Sequence, residues 1–201
     1  MKSPLRYQAT EYDCGPTTMT NAILFLFERE EIPPDLVRHI GQCTLDSFDE
    51  TGHIGKYGTS GAAIRYFGYW FNELRHAGLL QIRSAFLEKE EVVLGEGSRL
   101  TQELQNDAAV VLHVFFHGFG HYLLLTGTKA HQYFAFDPYY QENPILSREI
   151  ISVKDAPFSH NLIISEQLLN RCTGEDYSLG EINTREALVL RRESADSLYI
   201  I

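Results

Sequence analysis

After Gly15-Pro16 the apolar residues fall at Met19, Ala22, Ile23, Leu26 and Phe27. This i, i+3, i+4, i+7, i+8 series predicts a helix with one buried face, and Pro33-Pro34 predicts its stop. A second short helix is predicted over 35–40, closed by Gly41. A third carries Ala63, Tyr66, Phe67, Trp70, Phe71 and Leu74 at helical spacing, with Ser60 as its cap and Gly78 as its end. From residue 108 the period changes. The runs 108–116, 122–128 and 133–137 are rich in β-branched and aromatic residues and too short for helices, so they read as strands. The runs 145–153 and 187–191 predict a fourth and a fifth. Helices first and strands after mean an α+β fold.

Gly127-Thr128-Lys129-Ala130-His131 separates two of these runs and predicts a hairpin turn. Centred on Lys129, an antiparallel pairing sets His121 directly opposite Asp137, with Cβ atoms about 4.5 to 5.5 Å apart. A carboxylate at that distance reaches an imidazole nitrogen, and a slip of one residue would remove the pairing.

The chain has 201 residues, 44% of them hydrophobic and 22% charged, enough to build one core and outside disordered compositions. Its 17 basic and 27 acidic residues give a net charge of −10, which argues against nucleic acid as a partner. No apolar stretch approaches the roughly 20 residues of a membrane span, and Met1-Lys2-Ser3-Pro4-Leu5-Arg6 lacks a signal-peptide core. A soluble, cytoplasmic protein without direct membrane insertion is expected. Three cysteines without paired spacing predict free thiols.

One of them carries candidate chemistry. Cys14 precedes Gly15-Pro16 and the first helix, so its sulfur sits at a helix N-terminus, where the dipole favours an anion. His121 and Asp137 supply a base and a group that fixes its tautomer. Gln8, six residues before Cys14, carries a side-chain amide that can donate to an oxyanion near the sulfur. His117 and Phe119 lie in the loop entering the His121 strand and are candidates to line a substrate groove.

His113, His117 and His121 recur every four residues, a zinc-like spacing on a helix, but the strand-like run around His113 and the breaks at Gly118 and Gly120 argue against a metal. No cofactor is expected. The segment 55–61 is glycine-rich but lacks phosphate-loop spacing, and it reads as a loop or groove wall. Trp70 reads as core.

Three blocks occur together: Gln8-Ala9-Thr10-Glu11-Tyr12-Asp13-Cys14-Gly15-Pro16, then Gly120-His121-Tyr122-Leu123-Leu124-Leu125-Thr126-Gly127, then Phe136-Asp137-Pro138. In this order they resemble the motif of the bacteriocin-processing, double-glycine leader cysteine peptidases of the papain-like superfamily. The resemblance spans roughly residues 7–153. It implies a papain-like α+β fold with Cys14 as nucleophile, His121 as base, Asp137 as orienter and Gln8 as oxyanion-hole donor. It also implies a peptide or protein substrate, a leader peptide in the family's own case; an exporter or modifying enzyme is a candidate partner that no motif here specifies. The best-known relatives are fused to a membrane-spanning ATP-driven exporter. This sequence holds neither a membrane segment nor a nucleotide-binding motif, so a free-standing member is expected.

The organisation expected is a peptidase domain over residues 1–157 and a C-terminal extension over 158–201 packed on the same domain. An acyltransferase using the same triad, or a peptide-binding domain that does not cut, are the alternatives.

Overall fold

A computed structural model describes residues 1–143, 145 and 147–193. In chain order the elements are helices α1 (Cys14–Leu26), α2 (Pro34–Thr44) and α3 (Gly61–His76), strand β1 (Ile82–Glu88), helix α4 (Arg99–Gln105), strands β2 (Ala109–Phe116), β3 (Phe119–Lys129), β4 (Gln132–Phe136), β5 (Ile150–Ser152) and β6 (Leu162–Ser165), helix α5 (Glu166–Leu169), and strand β7 (Glu186–Arg192). The expected α+β class is what the chain forms.

The seven strands make one antiparallel sheet in the order β1-β7-β2-β3-β4-β6-β5. Both faces are covered, and strict alternation along the strands serves two cores. On one face Val111, Tyr122, Leu124, Phe136 and Leu188 meet Met19, Ile23, Ile40, Ile64 and Phe67 of α1, α2 and α3. On the other, Val110, Leu112, Leu123, Leu125 and Val189 meet Leu100 and Leu104 of α4 and Leu168 and Leu169 of α5. Fully burying each such side chain contributes about 1.5–3 kcal/mol.

Several boundaries depart from the periodic reading. Helix α1 ends at Leu26, well before Pro33-Pro34, because Phe27 turns extended to bury its ring, and Glu31 Oε2 then accepts the Glu28 N–H to open a new short turn. Helix α2 runs through Gly41 to Thr44. Gly41 costs about 1 kcal/mol in a helix, but Ile40 and Thr44 are fully buried and their packing outweighs it. Helix α3 does start at Ser60, whose hydroxyl accepts the Ala63 N–H at 3.2 Å, and it closes just before Gly78, which takes φ +69°.

The predicted run 145–153 shrinks to β5, and its Leu146 lies outside the described residues. The segment after 157 supplies β6, α5 and β7. Strand β7 sits between β1 and β2, and residues 194–201 lie outside the described residues. Trp70 is half-buried, packed on the helical core with His39 against its ring at 4.5 Å.

Candidate active site

The loop before α1 is held by one carboxylate. Asp13 accepts the Ala9 N–H at 3.1 Å, the Thr10 N–H at 2.7 Å and the Thr10 hydroxyl at 2.7 Å. Its backbone carbonyl accepts the Thr17 N–H, which starts the helix. Cys14 and Gly15 therefore occupy the first turn, with Pro16 behind them where a missing N–H costs nothing. Gly15 is required by contact: a Cβ there would stand 2.0 Å from Thr59 Oγ1. The glycine-rich loop 55–61 is thus pressed against the Cys14 turn. Thr59 Oγ1 is buried there with no hydrogen-bond partner among the described residues.

Gln8 lies in the same loop. Its backbone N–H donates to the Pro138 carbonyl at 2.8 Å, which ties the Cys14 loop to the turn carrying Asp137. Its side-chain Nε2 donates to the Thr10 carbonyl at 2.8 Å, and its buried Oε1 has no partner among the described residues. One amide N–H remains uncommitted.

His121 and Asp137 meet, though not as the simple hairpin predicts. The turn is the two-residue Ala130-His131, both at positive φ (48° and 62°), which is the type I′ geometry of a tight hairpin. Its register pairs Lys129 with Gln132 and Gly127 with Phe134. That register continued would put Asp137 opposite Leu124, on the wrong face for His121. A bulge between Leu125 and Gly127 takes up one residue, and the pairing resumes as Leu125 with Ala135 and Leu124 with Phe136. Carried one residue further, Asp137 stands opposite Leu123, and His121 is its diagonal neighbour on the same face. His121 Nε2 and Asp137 Oδ1 are 2.8 Å apart.

Asp137 is 1% exposed, and both its carboxylate oxygens are engaged. Oδ1 also takes the Tyr139 N–H at 2.8 Å, and Oδ2 takes the Tyr177 hydroxyl at 2.6 Å. Asn161 clamps the Asp137 backbone from both sides, accepting its N–H and donating to its carbonyl, each at 2.8 Å. Cys14, at the start of α1, also bears on the same imidazole and favours its charged form. Burial opposes the charged ring, but the hydrogen bonds and charges of Asp137 and Cys14 outweigh it and raise His121 to about 10. Phe116 covers the ring at 5.1 Å.

The other histidines are not brought to this point. Pairing of His113 with Tyr122 and of Val114 with His121 puts His113 and His121 on opposite faces. Burial, with His121 adding to it, lowers His113 to about 4, and its Nδ1 has no partner among the described residues. No group of three or more His, Cys, Asp or Glu among the described residues could hold a metal ion. His117 and Phe119 flank the β2–β3 turn. His117 Nδ1 is 3.6 Å from Asp176 Oδ2, and Phe119, which opens β3, is 72% exposed.

Sequence reasoning does not reach Tyr177 or Asn161, and it reaches Thr59 only as part of the loop 55–61. Tyr177 and Asn161 lie beyond residue 157, and no spacing rule links them to Asp137.

The fold resembles those of two solved peptidases. One is a double-glycine motif protease from an AMS/PCAT transporter, solved with the leader peptide: 10% identity, TM-score 0.45, 94% of this chain and 91% of that one covered. The other is the peptidase domain of Streptococcus ComA, a bi-functional ABC transporter of a quorum-sensing pathway: 13% identity, TM-score 0.46, 94% of this chain and 98% of that one covered. No protein-family model matches the chain, and no curated protein does. No helix among the described residues is long and apolar enough to cross a membrane.

Proposed function

We propose that this chain is a papain-like cysteine peptidase whose reaction runs through Cys14, His121 and Asp137, with Gln8 in the oxyanion hole. The observation that carries the reading is the buried His121–Asp137 pair at 2.8 Å, with the Cys14 that opens α1 among the groups that raise the imidazole's proton affinity. With Nε2 engaged by Asp137, Nδ1 is the ring nitrogen left to serve the sulfur.

In the first half-reaction the Cys14 thiolate attacks the scissile carbonyl carbon. The oxyanion is held by the Cys14 N–H and the uncommitted Gln8 amide N–H. Imidazolium Nδ1 gives its proton to the leaving amine as the C–N bond breaks, leaving a thioester. In the second, His121 takes a proton from water, the hydroxide attacks the thioester, and the Cys14 thiolate leaves. Asp137 keeps the imidazole in the tautomer both steps need. The substrate class is a peptide, a leader peptide in particular, as the three-block motif suggests, delivered by an exporter or modifying enzyme.

The test is iodoacetamide modification of the three free thiols, followed by mass spectrometry in the wild type and in His121→Ala. Cys14 is buried while Cys172 is exposed, so exposure alone makes Cys172 the faster. The expected result is the reverse: near neutral pH Cys14 reacts about tenfold faster than Cys172 or Cys43, and His121→Ala removes the advantage. Equal rates, or an advantage that survives the substitution, overturn the mechanism.

A further inference from the structure

Tyr177 stands out among the residues around Asp137 for what its placement requires. It takes φ +68°, a left-handed conformation that a bulky side chain rarely adopts. The strain is held from outside. Its N–H donates to the Phe115 carbonyl at 2.7 Å, the Phe115 N–H returns to the Ser178 carbonyl at 2.8 Å, and Asp176 Oδ1 accepts the His117 N–H at 2.7 Å. These contacts fasten the loop carrying Tyr177 to the end of β2 and aim a buried phenol at one oxygen of Asp137. Gln141 Nε2 donates into the same hydroxyl at 2.7 Å, so the phenol's own proton goes to the carboxylate. A phenylalanine would fill the same apolar space beside Phe116 without this chain of bonds.

We infer that Tyr177 is a positioning residue for the site: its hydroxyl pins Asp137 Oδ2 so that Oδ1 stays on His121 Nε2, and it draws off part of the carboxylate's charge so that the imidazolium can release its proton. The inference rests on the reading of Cys14, His121 and Asp137 as a peptidase site. A general acid works best when its pKa lies near the working pH, and Asp137 and Cys14 together push His121 well above it. A donor on the far carboxylate oxygen moderates that push. The other titratable groups bearing on the pair are His113, from β2, and Asp176, beside Tyr177. Burial and the neighbouring Asp137 charge hold the Tyr177 phenol far above its usual range, so it is a neutral donor at any working pH.

The experiment is an NMR titration of the imidazole nitrogens in the full chain, with the His121 signal assigned by its loss in His121→Ala. Tyr177→Phe is expected to raise the His121 pKa by about half a unit to one unit, a three- to tenfold change in proton affinity. Gln141→Met, which takes away only the bond that polarises the phenol, is expected to move it the same way by less. An unchanged or lowered His121 pKa in folded Tyr177→Phe overturns the inference. Should Tyr177→Phe not fold, Gln141→Met decides: an upward shift supports the role and no shift removes it. The titration needs no turnover. If the alkylation test removes the peptidase reading, the effect of Tyr177 on His121 is still read independently.

Discussion

The two ends of the candidate site are built by different means. The Cys14 end is local: Gln8, Thr10, Asp13, Cys14 and Gly15 lie within eight positions, and one carboxylate organises the loop through bonds spanning three or four residues. The His121 end is assembled from afar. It needs a bulge in β3, Asn161 from the segment leading into β6, and Tyr177 from the loop before β7. A local device can be carried by a short motif, whereas a distributed one is as reliable as the whole sheet that holds it. The difference can be probed by breaking each end separately.

The largest effect belongs to the distributed end. Asp137→Asn keeps the volume but supplies an amide where His121, Tyr139 and Tyr177 all donate, so at least one of those bonds must be lost. In the proposed mechanism the imidazole then loses its tautomer control, and turnover is expected to fall about 10⁴-fold. The same substitution should alter the pH dependence of stability. His121 is raised from its ordinary 6.5 to about 10, so the stability it contributes is fully present below about pH 6.5 and is lost as pH rises through about 10. In urea titrations the wild type should weaken across that window, and Asp137→Asn should be much flatter. A wild-type curve that is flat from pH 6.5 to 10 would contradict the buried ion pair.

The same contrast separates what is legible in the sequence from what is not. The periodicity of 19–27 and 63–74 and the cap at Ser60 locate α1 and α3 because those signals are local. Strands β2, β3 and β4 are legible for the same reason, and the Cys14 loop announces itself through its motif. The pairing of His121 with Asp137 is reached by an arithmetic that the hairpin does not obey. The turn falls at Ala130-His131, beyond the expected centre, and the bulge restores the parity that the turn alone would break. Nothing in Leu125-Thr126-Gly127 marks that bulge except a glycine. Strand β1 is invisible because Arg83 and Ser84 interrupt its apolar run, and its pairing with β7 links residues about a hundred positions apart. Tyr177 is invisible because a tyrosine in a polar loop carries no signal of the carboxylate it meets.

At the local end, Gln8→Ala should be milder in its effect on the fold and still costly to the reaction. The side chain contributes one bond, to the Thr10 carbonyl, and its backbone tie to Pro138 survives the change. Stability should hardly move, while kcat/KM on a cleavable peptide should drop about 10²- to 10³-fold, the usual loss for one oxyanion donor. KM should change little, because in the proposed mechanism the donor acts on charge that develops only in the transition state. A Gln8→Ala variant with unchanged kcat would leave the oxyanion hole to the Cys14 N–H alone.

The smallest effect distinguishes a glycine that the site needs from one that merely lies in a helix. Gly41 has nothing within 4 Å of an added Cβ, so Gly41→Ala should stabilise α2 by about 0.5–1 kcal/mol through helix propensity and a stiffer unfolded chain. Gly15 sits in the equally helical first turn of α1, where the same methyl would meet Thr59 Oγ1 at 2.0 Å and Thr59 Cβ at 2.5 Å. There the loop 55–61 must give way, and Gly15→Ala is expected to destabilise by about 1–3 kcal/mol. Adding Thr59→Gly to Gly15→Ala should recover most of that loss, since it clears the atoms that clash. Thermal melts of these variants beside the wild type measure both signs at once. Equal shifts for Gly15→Ala and Gly41→Ala would mean that the 55–61 loop does not press on the Cys14 turn, and the wall it forms beside Cys14 would be lost with it.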